Sequence, residues 1–164
     1  SRGLVGSEMC IRDRIEYARN VIGLKNANST EMDYHTKHPV ISLMEDQVNV
    51  EKKGGTMRLG SWKCEISKGT LTHDIYKKNV IKERHRHRYE LNFNYIESLT
   101  KSGMVLCGKN PETDLVEIIE LPNHSWFIGV QFHPEYQSTV DKPHPLFKSF
   151  IKAATNKKRT YGRK

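Results

Sequence analysis

GVQFHPE, at residues 129–135, is the stretch that decides how this chain folds. It closes an aromatic and β-branched run over residues 126–132, which predicts a buried strand. Pro134 ends that strand because proline has no backbone N–H to offer the hydrogen-bonded ladder. His133 and Glu135 are therefore expected just beyond the carboxyl end of a strand, which is where open α/β sheets bind their ligands.

A histidine followed two residues later by a carboxylate can form the base-and-orienter half of a nucleophilic triad. Glu135 would hold the imidazole of His133 in one tautomer and stabilise its charged form. His133 would then activate a nucleophile supplied from elsewhere. The same spacing also occurs in ordinary loops, where both side chains are merely solvated, so the surrounding residues have to decide between the two interpretations.

The full heptapeptide resembles the C-terminal signature of class I glutamine amidotransferases, which hydrolyse glutamine with a Cys-His-Glu triad. Four further stretches resemble, in the same order, the glutaminase domain of the CTP synthase family: NANSTE at 26–31, GGTMRLG at 54–60, ERHRHRYE at 83–90 and PHPLF at 143–147. The resemblance implies a partial amidotransferase domain over residues 15–155. Its expected fold is α/β, with a flavodoxin-like open sheet flanked by helices and incomplete at the N-terminus.

The resemblance also implies roles for four residues. His133 matches the catalytic base and Glu135 the carboxylate that orients it. Glu31 matches the carboxylate that binds the amino group of substrate L-glutamine, and Arg88 matches an arginine that helps to hold the same substrate. Both assignments suit the chemistry, because a carboxylate pairs with an ammonium group and a guanidinium can bind a carboxylate through two hydrogen bonds.

The nucleophile of the family is a cysteine in a Gly-Ile-Cys-Leu-Gly-Met-Gln elbow, directly before the helix that here begins near Ile15. An ungapped count places this cysteine at position 7, where the chain has Ser7. Cys10 comes three positions later and lacks the flanking glycines that a tight strand-to-helix elbow needs. Residues 1–14 are expected to be an unrelated or artefactual start, and the chain by itself is expected not to turn over glutamine.

Intact members of the family make CTP from UTP, ATP and glutamine, and the glutaminase domain supplies the ammonia. The resemblance therefore implies no cofactor in this chain, with magnesium and ATP bound by a preceding synthase domain. It implies L-glutamine and that synthase domain as partners, and a homotetramer for the intact enzyme. A second hypothesis is a non-catalytic amidotransferase-like domain that binds glutamine or regulates another protein.

Composition and charge point to a cytoplasmic protein. No apolar run approaches the ~18 residues that a membrane-spanning helix needs. The three cysteines are widely spaced, which favours reduced thiols over a disulfide framework or a zinc site. The formal net charge is +8, and five of the positive charges fall in residues 157–164. Residues 156–164 are accordingly predicted to be a basic, disordered tail.

The run RHRHR at residues 84–88 allows two other interpretations. His85 and His87 could bind a metal together with His133, but the flanking guanidinium groups would repel a cation. The run could instead bind nucleic acid together with the basic tail. It lacks interleaved aromatic residues and any recognition-fold signature, so the sequence does not favour a nucleic-acid partner.

Hydrophobic periodicity and turn residues predict the following elements. Helices are expected over residues 15–22, over residues 92–102 ending at Gly103, and from Pro145 onward with Leu146, Phe147, Phe150 and Ile151 on one face. Strands are expected over residues 104–107 and 115–121, and residues 57–66 should form a hairpin or a strand bent at Gly60. Residues 26–29 are predicted as a loop, 38–44 as a turn or short helix, and 77–82 as a polar connector.

Overall fold

The computed structural model describes residues 7–43 and 57–161, with side chains over 11–43 and 57–156. Its longer elements are helices at both ends and strands in between. The elements are α1 Ser7–Asn20, β1 Ala27–Ser29, β2 His38–Ser42, β3 Arg58–Ile66, α2 Leu71–Tyr76, β4 Val80–His87, β5 Glu90–Leu91, α3 Ile96–Lys101, β6 Val105–Lys109, β7 Val116–Glu120, β8 Ile128–Val130 and α4 Pro145–Tyr161. Two short 3₁₀ helices, Phe93–Tyr95 and Pro134–Gln137, complete the described part of the chain.

The strands form two sheets, which confirms the predicted α/β class. A three-stranded sheet has the order β1-β2-β5, with β1 parallel to β2 and β2 antiparallel to β5. A five-stranded antiparallel sheet has the order β4-β3-β6-β7-β8. Strand β4 lies at one edge of the larger sheet, and the turn that follows β8 returns to this edge.

Two apolar clusters form the core. The first packs α1 against the three-stranded sheet, with Ile15 and Ala18 at helical spacing and fully covered. The second lies on the larger sheet and includes Phe132 and Leu146. Phe150 is 42% exposed and Ile151 is 61% exposed, so only part of the predicted apolar face of α4 is buried.

Three segments that the sequence analysis assigned to loops, a turn or a connector are strands. Residues 26–29 contain β1, residues 38–44 contain β2, and the connector over 77–82 runs into β4. These strands were missed because asparagine, histidine, proline and lysine favour turns and polar surfaces in isolation. Pairing with neighbouring strands overrides that local preference, as the eight paired positions between β3 and β4 show.

The predicted helices and strands differ from the observed ones mainly at their ends. Helix α1 begins at Ser7 rather than near residue 15, and strand β8 covers only the middle of residues 126–132. Helix α4 reaches Tyr161 and so enters the segment over 156–164 that was predicted to be disordered. Gly60 and Gly103 behave as predicted: Gly60 bends a single strand at a φ of 87°, and Gly103 follows α3 at a φ of 101°.

Candidate active site

His133 and Glu135 form a hydrogen-bonded pair just after β8. The distance between His133 Nδ1 and Glu135 Oε1 is 2.6 Å. Pro134 opens the 3₁₀ helix at a position where its missing N–H costs nothing, and the tight turn brings Glu135 back to the histidine. The backbone N–H of His133 donates to the carbonyl of Arg84 on β4 at 2.8 Å, and its ring stacks on Tyr136 with centroids 4.9 Å apart.

This contact determines which ring nitrogen of His133 can act as a base. A carboxylate only accepts hydrogen bonds, so Nδ1 carries the proton toward Glu135 and Nε2 keeps its lone pair. Nε2 is buried and has no hydrogen-bond partner among the described residues. The imidazole is 11% exposed and the Glu135 carboxylate 39% exposed, so the base is largely shielded from water while its partner stays hydrated.

Glu31 and Arg88 meet at one cavity of about 430 Å³. Glu31 follows β1, and its N–H donates to Ser29 Oγ at 3.2 Å in the turn that positions it. Arg88 directly follows β4. The cavity is lined by Ile11, Glu31, Met57, Arg86, His87, Arg88 and Tyr89. A free amino acid carries one ammonium and one carboxylate, which is the charge pair that Glu31 and Arg88 can complement.

Strand β4 links this cavity to the His133–Glu135 pair. His133 is not among the described lining residues, but its backbone is bonded to Arg84, and Arg86 two residues further along the strand lines the cavity. Two residues span about 7 Å of strand. One edge strand therefore anchors the backbone of the base and leads directly into the predicted substrate-binding arginine.

A buried charged cluster lies under the site, and the sequence analysis did not find it. Arg58 donates to Glu90 Oε1 at 3.0 Å and to Glu117 Oε1 at 2.6 Å, and its guanidinium lies 4.7 Å from the centre of the Trp62 ring. The imidazole of His87 contacts the same Glu90 oxygen at 2.6 Å. Arg58 lies in the GGTMRLG stretch at residues 54–60 that carries part of the family resemblance. No local pattern in the sequence links Arg58 to Glu117, which is 59 residues away.

His85 and His87, the histidines considered as metal ligands, face these carboxylates inside the protein. His85 lies 5.0 Å from His87 and 6.0 Å from Phe132, measured between ring centroids. In the described part of the chain, no group of three or more histidine, cysteine, aspartate or glutamate side chains is placed to hold a metal ion. None of its helices is long and apolar enough to cross a membrane.

Burial changes the protonation of this cluster. Burial, with Arg58 close by, lowers the pKa of His85 to about 2, so its imidazole is neutral. Burial raises the pKa of Glu117 to about 7, although Arg58 opposes the rise. Burial pushes the pKa of Glu90 upward too, but His87 and Arg58 outweigh it and hold that pKa below its usual range. His85 Nε2 and Glu117 Oε2 are 3.5 Å apart, too far for a good hydrogen bond.

The opposite shifts of Glu117 and His85 predict how stability depends on pH. The ordinary pKa values are 4.5 for glutamate and 6.5 for histidine. Because folding raises the pKa of Glu117, the folded chain binds more protons there than the unfolded chain. Because folding lowers the pKa of His85, the folded chain binds fewer protons at that residue. The contribution of Glu117 to the free energy of unfolding therefore falls as the pH rises, and the contribution of His85 rises. Between pH 4.5 and 6.5 these two slopes cancel. In Glu117→Gln only the histidine slope remains, about 1.4 kcal/mol per pH unit.

Urea unfolding at the two ends of this pH window measures the effect. The free energy of unfolding of Glu117→Gln should rise by about 2–3 kcal/mol more than that of the wild-type chain from the acidic to the neutral end. Glu112 is a suitable control, since its side chain is 63% exposed and pairs with the surface lysine Lys63. The pKa shifts would be contradicted if the free energy of unfolding changed equally with pH in Glu117→Gln, in Glu112→Gln and in the wild type.

The structure describes only the backbone at the two candidate nucleophile positions. Ser7 is the first residue of α1 and Cys10 lies within the helix, so Cys10 does not occupy a strand-to-helix turn. Their side chains lie outside the described part. Cys64 and Cys107 are buried, and burial raises the pKa of both thiols, that of Cys107 to about 12. Neither of these two thiols ionises near neutral pH, so neither offers a reactive thiolate.

Comparison with known proteins places this arrangement in a family. Residues 15–153 match the family model for class I glutamine amidotransferases, and the chain belongs to that family. CTP synthases are among its relatives within the family. The chain is 62% identical over 150 residues to the CTP synthase of Christiangramia forsetii and 60% identical over 154 residues to that of Flavobacterium psychrophilum. These alignments cover 92% and 94% of the chain, but only 27% and 28% of the relatives' length.

A solved structure shows the same fold. The glutaminase domain of Trypanosoma brucei CTPS, with bound acivicin, superposes with a TM-score of 0.82 at 38% sequence identity. The match covers 89% of this chain and 57% of that one. The chain is thus homologous to the glutaminase domain of CTP synthases.

Proposed function

We propose that this chain is the glutaminase part of a CTP synthase, a ligase of pyrimidine nucleotide biosynthesis. It would hydrolyse L-glutamine to supply ammonia for the ATP-dependent amination of UTP to CTP. The observation that carries the proposal is the His133–Glu135 pair. Nε2 of its histidine has no partner in the described structure, and its backbone is bonded to the strand that leads into Arg88 at the Glu31 cavity. Homology to the glutaminase domain of CTP synthases supports the same conclusion.

The proposed reaction exchanges an amide for a carboxylate in two steps. The cysteine thiolate of the family, which aligns with position 7 where this chain has Ser7, attacks the side-chain amide carbon of glutamine, and the C–N bond breaks to leave a thioester. Nε2 of His133 first takes the proton of the cysteine thiol, which generates the thiolate, and then passes this proton to the departing ammonia. Water then attacks the thioester while His133 takes up the proton of the water, and glutamate and the free thiol result. Throughout, Glu135 keeps Nδ1 protonated and stabilises the imidazolium.

Substrate binding is assigned to two of the charged side chains that line the cavity. Glu31 would bind the α-ammonium of L-glutamine, and Arg88 would bind its α-carboxylate. Both contacts involve charged groups, which are the stronger class of hydrogen bond in proteins. This arrangement selects a free amino acid, because a glutamine inside a peptide carries neither charge.

The remaining partners are proposed from the homologues. The synthase domain would bind ATP and magnesium and receive the ammonia, and the intact enzyme would be a cytoplasmic homotetramer. The magnesium site is accordingly assigned to the synthase domain and not to the described residues of this chain. The homologues give no reason to propose a nucleic-acid partner.

Glutamine binding by this chain is the direct test of the substrate assignment. Calorimetry should detect binding of L-glutamine to the wild-type chain, and Glu31→Gln or Arg88→Gln should weaken it by about 10- to 100-fold, the value of one charged hydrogen bond. Arg84→Gln is the matched control, because Arg84 is exposed on the same strand but does not line the cavity. Equal affinities in all four proteins, or no binding to any of them, would contradict the assignment.

A non-catalytic, glutamine-binding domain is the second candidate function. The serine at the position where the family has its cysteine favours it. Such a domain would retain binding through Glu31 and Arg88 but would not hydrolyse glutamine even when a suitable cysteine is supplied. The first experiment in the Discussion separates the two candidates.

A further inference from the structure

Glu83 is a buried carboxylate that accepts hydrogen bonds from three different segments. It lies in the middle of β4 and is 3% exposed. Oε1 accepts from the hydroxyl of Tyr76 at 2.9 Å and contacts His144 Nε2 at 3.0 Å, while Oε2 accepts from Gln137 Nε2 at 2.7 Å. None of these contacts belongs to the cavity or to the His133–Glu135 pair.

The donors of this cluster are held in place by their surroundings. The backbone N–H of Leu146 donates to His144 Nδ1 at 3.3 Å, which leaves Nε2–H to donate to Glu83. Burial, together with the charge of Glu83, raises the pKa of Tyr76, so its hydroxyl keeps its proton. Three donors thus converge on one carboxylate, which can accept all of them.

Gln137 connects this cluster to the candidate base. It is the last residue of the 3₁₀ helix Pro134–Gln137, which also carries Glu135. Besides Glu83, the Gln137 amide donates to the carbonyl of Lys82 at 3.0 Å. At the other end of the same turn, the N–H of His133 is bonded to the carbonyl of Arg84. Strand β4 therefore fixes the turn at both ends, with Glu135 in between.

We infer that Glu83 is a positioning residue for the His133–Glu135 pair. It acts through Gln137, which holds the end of the turn, and through His144, which holds the chain that follows. In the described structure, Glu83 contacts neither the cavity nor the base. Its effect is therefore on the position of the Glu135 carboxylate relative to His133 Nδ1. The geometric inference stands on these contacts alone, and its catalytic meaning rests on the proposed function.

A neutral amide at position 83 cannot replace the carboxylate. An amide has one accepting oxygen, and its NH₂ group would face one of the three donors whichever way it is turned. Glu83→Gln should therefore release at least one donor. Gln137→Ala removes only the link to the turn, and because Gln137 is exposed this variant should fold normally.

Nitrogen-15 NMR of the imidazole of His133 tests the inference in the chain as it stands. In the wild type, the ring nitrogen shifts should show a proton on Nδ1, with its signal moved downfield by the short bond to Glu135. Gln137→Ala and Glu83→Gln should both lose this preference for the Nδ1–H tautomer.

Glu120→Gln is the matched control for general loss of stability. Glu120 is also buried and accepts three hydrogen bonds, from the Leu71 N–H, the Thr72 N–H and the Thr72 hydroxyl, at the start of α2. It should leave the His133 signals unchanged. The inference would be overturned if Gln137→Ala and Glu83→Gln fold and keep the wild-type His133 signals. It would also be overturned if Glu120→Gln changed the His133 signals as much as they do.

The same spectra separate this inference from the proposed function. If the wild-type chain fails to bind L-glutamine but His133 responds to position 83 as described, the substrate assignment fails and the positioning role of Glu83 stands. If the wild-type His133 shows no preference for the Nδ1–H tautomer, the positioning role of Glu83 and the proposed role of His133 as the base both fail.

Discussion

His133→Ala should abolish glutamine-dependent CTP synthesis, and leave ammonia-dependent synthesis intact, in a chimaeric enzyme built from this domain. Nδ1 of the His133 imidazole is hydrogen-bonded to the Glu135 carboxylate, its Nε2 has no partner in the described structure, and its backbone is bonded to the strand that leads to the cavity. Without this imidazole, neither the departing ammonia nor the attacking water has a proton-transfer partner. Added ammonia bypasses that step, so a loss confined to the glutamine reaction identifies His133 with glutaminase chemistry.

The chimaera joins residues 15–153 of this chain to the cysteine elbow and the remaining sequence of the Christiangramia forsetii CTP synthase. The two sequences are 62% identical, which favours correct packing. CTP formation is measured with L-glutamine and, separately, with ammonium. We expect His133→Ala to reduce the glutamine-dependent rate by roughly 10³- to 10⁶-fold, and Glu135→Gln by up to about 10⁴-fold because the imidazole loses its preferred tautomer.

Three results would contradict the proposal. An unmutated chimaera that uses ammonium but not glutamine would favour the non-catalytic binding domain. Equal losses with glutamine and ammonium in His133→Ala would indicate a folding defect rather than lost chemistry. The 164-residue chain alone should release no glutamate, and release that disappears in Cys10→Ala would place the nucleophile at Cys10.

Arg58→Leu should destabilise the fold more than any surface substitution. Arg58 is 7% exposed and is shared between two carboxylates that are themselves buried. Removing the guanidinium leaves Glu90 and Glu117 in the interior without their main cationic partner. Breaking a buried pair from one side typically costs about 3–5 kcal/mol. The free energy of unfolding from urea denaturation measures the loss.

Two further variants show whether the unpaired charges cause this loss. Arg84→Leu removes an exposed arginine from the same sheet and should change stability by no more than about 0.5 kcal/mol. Combining Arg58→Met with Glu90→Gln and Glu117→Gln removes the charges as a set and should recover part of the lost stability. Equal costs for Arg58→Leu and Arg84→Leu, or no recovery in the triple variant, would show that the cluster does not stabilise the fold in this way.

Local patterns predicted part of the site and part of the fold. His133 and Glu135 could be located because a strand, a proline and a two-residue spacing all lie within one heptapeptide. Helix α3, strands β6 and β7 and the turn at Gly103 were recognisable for the same reason. Glu31 and Arg88 were found only through family resemblance, since nothing in the intervening sequence shows that they line one cavity.

Strand β4 shows why the rest could not be predicted. Its sequence is almost entirely charged or histidine, yet every second side chain is buried. The buried carboxylate of Glu83 is acceptable only because Gln137 and His144, from other parts of the chain, donate hydrogen bonds to it. Hydropathy treats such a residue as a surface group, because the compensating hydrogen bonds do not appear in its neighbours.

The sequence by itself determined the family, the α/β class and the local His133–Glu135 contact, because these depend on residues that lie close together in the chain. The tertiary structure alone decided which polar residues are buried, which carboxylates share Arg58, and how Glu31 and Arg88 come to one cavity. The physical reason is that a buried charge is stable only with its partners, and here those partners come from strands and turns far apart in the chain.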